Sequence, residues 1–172
     1  MRFFAAIIAL LLSAALPARA QHQHSPYAGA EHREIKALSQ DVLHGLLNGE
    51  GLGYAKAAEL NGTPGPKHVL ELADKLGLRP QQVERTRAIY EEMRVAAVKL
   101  GERLVEVERR IDMAFAAGTI RRAELASLTA QSARLEGELR LTHLQAHLEM
   151  LQVLEPPQVR RYNELRGYRR GP

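Results

Sequence analysis

The stretch from Pro80 to Ala117 holds no proline after Pro80 and a single glycine, Gly101. Within it Met93, Ala97, Leu100, Leu104, Val107, Ile111 and Ala114 recur at alternating steps of four and three. That spacing keeps an apolar seam on one side of a helix and is the pattern of coiled-coil contacts. A strand would alternate every second residue, and no run of useful length does so. Gly118 ends the segment. A second long helix is predicted from Thr119 to Val153, its first stripe formed by Leu125, Leu128, Ser132, Leu135 and Leu139. Each helix spans about 50 Å at roughly 1.5 Å per residue. So short a link leaves only an antiparallel hairpin. Arg87–Glu91 and Glu106–Arg110, at i,i+4, are expected to pair on the solvated face. Two helices cannot bury so long a seam by themselves, so short flanking helices or a second copy must cover part of it, and both together are favoured. The expectation is an all-α, four-helix-type fold assembled as a homodimer.

The flanks supply those short helices. One is predicted from Ser39 to Asn48, with the Ser39 side chain as its N-cap. Gly49, Gly51 and Gly53 break it; with no strand before them and no phosphate-loop Lys-Ser/Thr pair after, they spell a flexible turn. A second helix covers Leu52 to Leu60 and stops at Asn61-Gly62. A third starts at Pro66, which suits a first helical turn, and ends at Gly77.

The first twenty residues have a different character. Met1-Arg2 precedes an almost unbroken apolar run from Phe3 to Leu16, then Pro17 and the small-x-small Ala18-Arg19-Ala20. That is the pattern of a secretory signal peptide, expected to be cut after Ala20, and the run is shorter than the roughly 20 residues a bilayer span needs. No membrane-spanning segment is then expected in the mature chain. The expected organisation is a leader over 1–20, a mobile His-containing tract over 21–33, one all-α domain over 34–166 and a basic tail over 167–172. Export is expected to take the protein away from nucleic acid, and removing Arg2 and Arg19 lowers the formal charge from +4 to +2. No nucleic-acid partner is expected.

The chain has no Cys, which excludes disulfides, thiolate nucleophiles and Cys-type zinc sites together. It also lacks a zincin His-Glu-x-x-His motif and a Gly-x-Ser-x-Gly elbow. No catalytic residue is nominated and no enzyme is expected.

Metal chemistry has candidates. His143 and His147 stand four apart on the second long helix and so share a face. Glu136 and Met150 fall within about 20° of His143 around an ideal wheel. Imidazoles so placed can ligate Zn, Cu, Ni or Co; His68, which shares a face with Leu72 and Leu76, is expected first as a core-edge histidine and second as a third donor. The same two histidines can instead bridge the flanking leucines, Leu141, Leu144, Leu148 and Leu151 on one side and Leu139 with Ala146 on the other, and hydrogen-bond across the bundle. His22 and His24, in Gln21-His22-Gln23-His24, are weaker metal candidates within a tail, and His44 is expected on a solvated face. Arg160, Arg161, Arg166, Arg169 and Arg170, interleaved with Tyr162 and Tyr168, are expected as a solvated basic end.

Two further segments carry a family pattern. Leu78-Arg79-Pro80-Gln81-Gln82 and Leu154-Glu155-Pro156-Pro157-Gln158 both resemble the Leu-Thr-x-x-Gln motif of the Spy/CpxP family of periplasmic stress proteins, with Leu78, Gln82, Leu154 and Gln158 as the matching positions. The order of signal peptide, short helices, long hairpin, motif and short C-terminal helix is similar too, and the likeness covers roughly Pro66 to Arg166. Arg79 and Glu155 stand where the family has Thr, so capping by a Thr hydroxyl is lost at both. The superfamily includes ZraP-like and CnrX-like metal-responsive proteins, and the latter use a comparable helical pair of metal-binding side chains.

The resemblance implies a non-enzymatic, often dimeric periplasmic protein that holds unfolded or partly folded clients on an amphipathic helical surface, with metal as a modulator. The alternative it implies is a heavy-metal-binding sensor or resistance protein working with a membrane-bound regulator.

Overall fold

A computed structural model describes residues 25–168. The leader, His22, His24 and residues 169–172 lie outside the described residues. Those described are helical, with no strand among them. After a short 3-10 turn at Ala30–His32, the helices are α1 (Gln40–Asn48), α2 (Lys56–Glu59), α3 (Pro66–Glu71), α4 (Ala73–Leu76), α5 (Pro80–Ala116), α6 (Arg122–Val153) and α7 (Pro156–Leu165). No helix among the described residues is long and apolar enough to cross a membrane.

The local signals explain most boundaries. The Ser39 hydroxyl accepts the Val42 N–H at 3.2 Å, and α1 stops where Gly49 turns left-handed. Gly77 and Gly118 end α4 and α5 in the same conformation, with φ of 60° and 63°. Three expectations need correction. The second short helix is one turn long, because Leu52 and Gly53 both take positive φ and keep the chain in a loop until Lys56. The helix expected from Pro66 to Gly77 is two pieces, broken at Leu72, whose N–H is shared between the carbonyls of His68 and Val69. The ion pairs on α5 are i,i+3, Glu91–Arg94 and Glu106–Arg109, and not the i,i+4 pairs expected.

Cross-contacts fix how α5 and α6 lie. Arg85 meets Glu149, Arg103 meets Glu138, and the Ser132 hydroxyl donates to Glu108. As the α5 number rises the α6 number falls, so the two run in opposite directions. The apolar seam separates into two clusters. Ile35, Leu46, Ala97, Leu104, Val107, Leu128, Leu135 and Leu139 fill the half nearer the α5–α6 turn, under α1. Val69, Leu76, Ile89, Ala146, Met150, Leu154 and Tyr162 fill the other, under α3, α4 and α7. Close approach demands a glycine at Gly101: a Cβ there would run into the Leu46 carbonyl, so α1 sits directly on the α5 backbone.

The starts of α5 and α7 meet in a near-symmetric polar junction. Gln82 Oε1 accepts the Arg79 N–H at 3.0 Å, and Gln158 Oε1 accepts the Glu155 N–H at 2.9 Å, so each glutamine caps its own helix from the third position. The two amides then donate to one another, at 2.8 and 3.2 Å. Gln82 Nε2 also reaches the Val153 carbonyl, next to Leu154, and Gln158 Nε2 leans toward the Gly77 carbonyl, next to Leu78. The residues just before these two helices bind each other, Arg79 Nη1 donating to Glu155 Oε1 at 2.6 Å. The glutamines thus satisfy the N–H of residues 79 and 155, while neither Arg79 nor Glu155 accepts a side-chain hydrogen bond from its own helix.

Candidate functional site

α6 delivers His143 and His147 one turn apart to the boundary between the two apolar clusters. Both are buried, at 3% and 8% exposure. His143 stacks on Tyr54 from the glycine-rich loop, with ring centroids 5.9 Å apart and planes 12° from parallel. Its Nε2 is buried without a hydrogen-bond partner. Burial, helped by the neighbouring His147, pushes its pKa below the ordinary histidine range, so the ring is neutral at pH 7. Burial and the Glu136 carboxylate push the Tyr54 phenol up.

His147 Nδ1 lies 2.8 Å from the Thr63 carbonyl, which places the proton on Nδ1 and leaves Nε2 as the lone-pair nitrogen. The ring occupies the space beside Gly65, where a Cβ would come within 2.8 Å of it. Only glycine admits the imidazole there.

Glu59, the last residue of α2, sits 3.9 Å from His147 Nδ1 through Oε2. Its Oε1 accepts from the Tyr162 hydroxyl at 2.6 Å, the Tyr168 hydroxyl at 3.0 Å and Arg166 Nε at 3.2 Å. Oε2 is buried with no donor. One carboxylate therefore ties α2 to the end of α7 while keeping an oxygen free. Burial first, then the hydrogen bond to Glu59, drive the Tyr162 pKa far above its usual value, so the hydroxyl stays a donor. The basic end expected to be solvated is thus only partly so. Tyr162 is fully buried, Arg166 and Tyr168 are held by Glu59, and Arg161 pairs with Glu164 on the surface.

These groups wall a pocket of about 400 Å³ between the loop after α1, the start of α3 and the two long helices. Its lining includes Glu59, His68, Tyr90, His143 and His147. The structure thus brings His68, His143 and His147 to one cavity, although His68 is engaged by Glu71 at 2.9 Å. Met150 is instead wholly buried among Val69, Leu76 and Ile89, and Glu136 is exposed on α6. His44 is exposed, as expected. Among the described residues no three His, Cys, Asp or Glu side chains are gathered closely enough to hold a metal ion. Glu59 was not foreseen as a site residue: it stands alone in a one-turn helix, and its partners lie about a hundred residues away.

A second feature lies on the outer side of α6. Leu141, Leu144, Leu148 and Leu151 repeat at steps of three and four, and Leu141, Leu148 and Leu151 are 54%, 61% and 42% exposed. Leu144 between them is half-buried. No family model, curated protein or solved structure matches the chain.

Proposed function

We propose that this chain is an exported, Spy/CpxP-like stress protein that holds partly folded proteins on the leucine-bearing face of α6. The observation that carries this is the row Leu141, Leu144, Leu148 and Leu151, in which Leu141, Leu148 and Leu151 are open to solvent and Leu144 is half-buried, while the opposite side of the same helix is buried. A regular apolar stripe exposed at a stability cost marks an interaction surface. Leucines, with no rigid aromatic anchor among them, suit shallow and tolerant contact with varied chains. The family assignment is supported by the two motif glutamines, which occupy equivalent places at the two helix starts. On this proposal α5 and α6 are the family's helical hairpin, the protein works as a homodimer, and the leader over 1–20 directs it to the periplasm. The test is suppression of aggregation of a chemically denatured substrate by the wild type and by a Leu141→Gln/Leu148→Gln/Leu151→Gln variant. Suppression near stoichiometry that the variant loses is expected; none at tenfold excess removes the proposal. A monomer mass by sedimentation removes the dimer alone.

The pocket favours a second reading, a transition-metal-binding sensor or resistance protein of the same superfamily. His143 Nε2 and Glu59 Oε2 are both buried and unpartnered, and His147 is oriented by a backbone carbonyl as metal-ligating histidines are. Small side-chain movements would have to gather them. Calorimetry with Zn, Cu, Ni and Co, on wild type and on His143→Ala/His147→Ala, decides it: equal affinities clear both histidines of the role.

A further inference from the structure

We propose that the turn joining α5 to α6 is a membrane-contacting tip that seats on a bilayer carrying phosphatidylglycerol-type anionic headgroups. The tip is apolar where a solvated turn should be polar. Met113 and Phe115, in the last turn of α5, are 63% and 57% exposed, and Ala116 and Ala117 follow them into Gly118. Most of the nearby uncommitted charge is positive. Arg110, Arg121 and Arg122 are exposed, and none meets a carboxylate among the described residues. Of the neighbouring charges, Asp112 is already taken by Lys36 at 3.0 Å, and Arg109 is shared between Glu34 and Glu106. Glu124, a turn further along α6, is the nearest opposing charge in sequence beyond them.

The placement of Arg121 and Arg122 is also locally unfavourable. They occupy the N-cap and first position of α6, where the helix dipole favours negative charge. Apolar side chains left in water and cations set against a dipole each work against stability. Both become favourable at an anionic interface, where Met and Phe enter the acyl boundary and arginines meet phosphate. The tip stands at the opposite end of the long helices from the glutamine junction, so contact there leaves the leucine face of α6 free. The inference is independent of client or metal binding.

The chain has no Trp, so Phe115→Trp gives a single fluorescent reporter at the tip. It is read with vesicles of phosphatidylcholine alone and of phosphatidylcholine with phosphatidylglycerol, beside flotation of the unlabelled protein. The expected result is a blue shift and co-flotation with the anionic vesicles only, weakened by salt and not competed by soluble glycerophosphate. Arg110→Gln, Arg121→Gln and Arg122→Gln should each weaken binding about fivefold, from the headgroup attraction of a single cation. Met113→Ser/Phe115→Ser should abolish co-flotation with helicity unchanged. Equal binding to neutral vesicles, binding insensitive to these substitutions, no binding, or a shift that follows protein concentration without vesicles (a second copy at the tip) overturns the proposal.

Discussion

Replacing Gln82 by Ala removes three interactions at once. The Arg79 N–H loses its cap, the Val153 carbonyl loses its donor, and the buried Gln158 amide loses its partner. Loss of the cap costs about 1 kcal/mol. Leaving a buried amide unsatisfied costs about 1–3 kcal/mol more. The variant should therefore be destabilised by about 3 kcal/mol, and Gln158→Ala somewhat less, since its outer contacts are long, at 3.5 Å. In the double variant each orphaned partner is gone, so that penalty is not counted twice. The total should reach only about 4 kcal/mol, a coupling of about 1–2 kcal/mol between the two sites. At roughly 2–4 °C per kcal/mol for a domain of this size, each single variant lowers Tm by about 5–12 °C. Urea and thermal unfolding followed by circular dichroism measure all four corners of the cycle. Strict additivity would refute the paired-amide account.

Four further outcomes follow from particular contacts. Gly101→Ala gains about 1 kcal/mol of helix propensity but drives a methyl into the Leu46 carbonyl, so overpacking of about 1–3 kcal/mol should win and Tm should fall. Gly137→Ala, which meets open space on the same kind of helix, should raise stability by about 1 kcal/mol. His143 releases its proton more readily folded than unfolded, so below about pH 6.5 the unfolded chain binds more protons and stability falls with acidification. His143→Phe should shallow that slope between about pH 7 and 5.5 in parallel urea melts, and an unchanged slope assigns it elsewhere. Tyr162→Phe should cost about 1 kcal/mol by removing the shortest donor to Glu59, and no loss would mean Tyr168 and Arg166 satisfy that oxygen alone.

The long helices were legible because their seam repeats over many turns. Each of Ala97, Leu104, Val107, Leu128, Leu135 and Leu139 is buried as the four-three spacing requires. The glycine and proline stops were legible for the same local reason. What escaped was either backbone detail or long-range pairing. The positive φ at Leu52 carries no residue signal, since β- and γ-branched residues rarely take it. Arg79 and Glu155 look like defects of a capping motif until they are seen to face one another across 76 residues. The histidine pair was visible at i,i+4, but its surroundings were not. Tyr54, Thr63 and Glu59 arrive from segments whose patterning says only loop or single turn. Met150 shares the wheel position of His143, yet its extra heptad carries it into the second apolar cluster. The C-terminal tyrosines read as part of a charged end, because nothing near them in sequence announces the carboxylate they bind.

The most direct test of a client-holding α6 face is site-specific photocrosslinking. A benzoylphenylalanine at Leu148 on the exposed stripe is compared with one at exposed Glu102 on α5, in the presence of an unfolding substrate protein. The account predicts substrate adducts from position 148 and none above background from position 102. Equal labelling at both, or adducts from 102 alone, would contradict it.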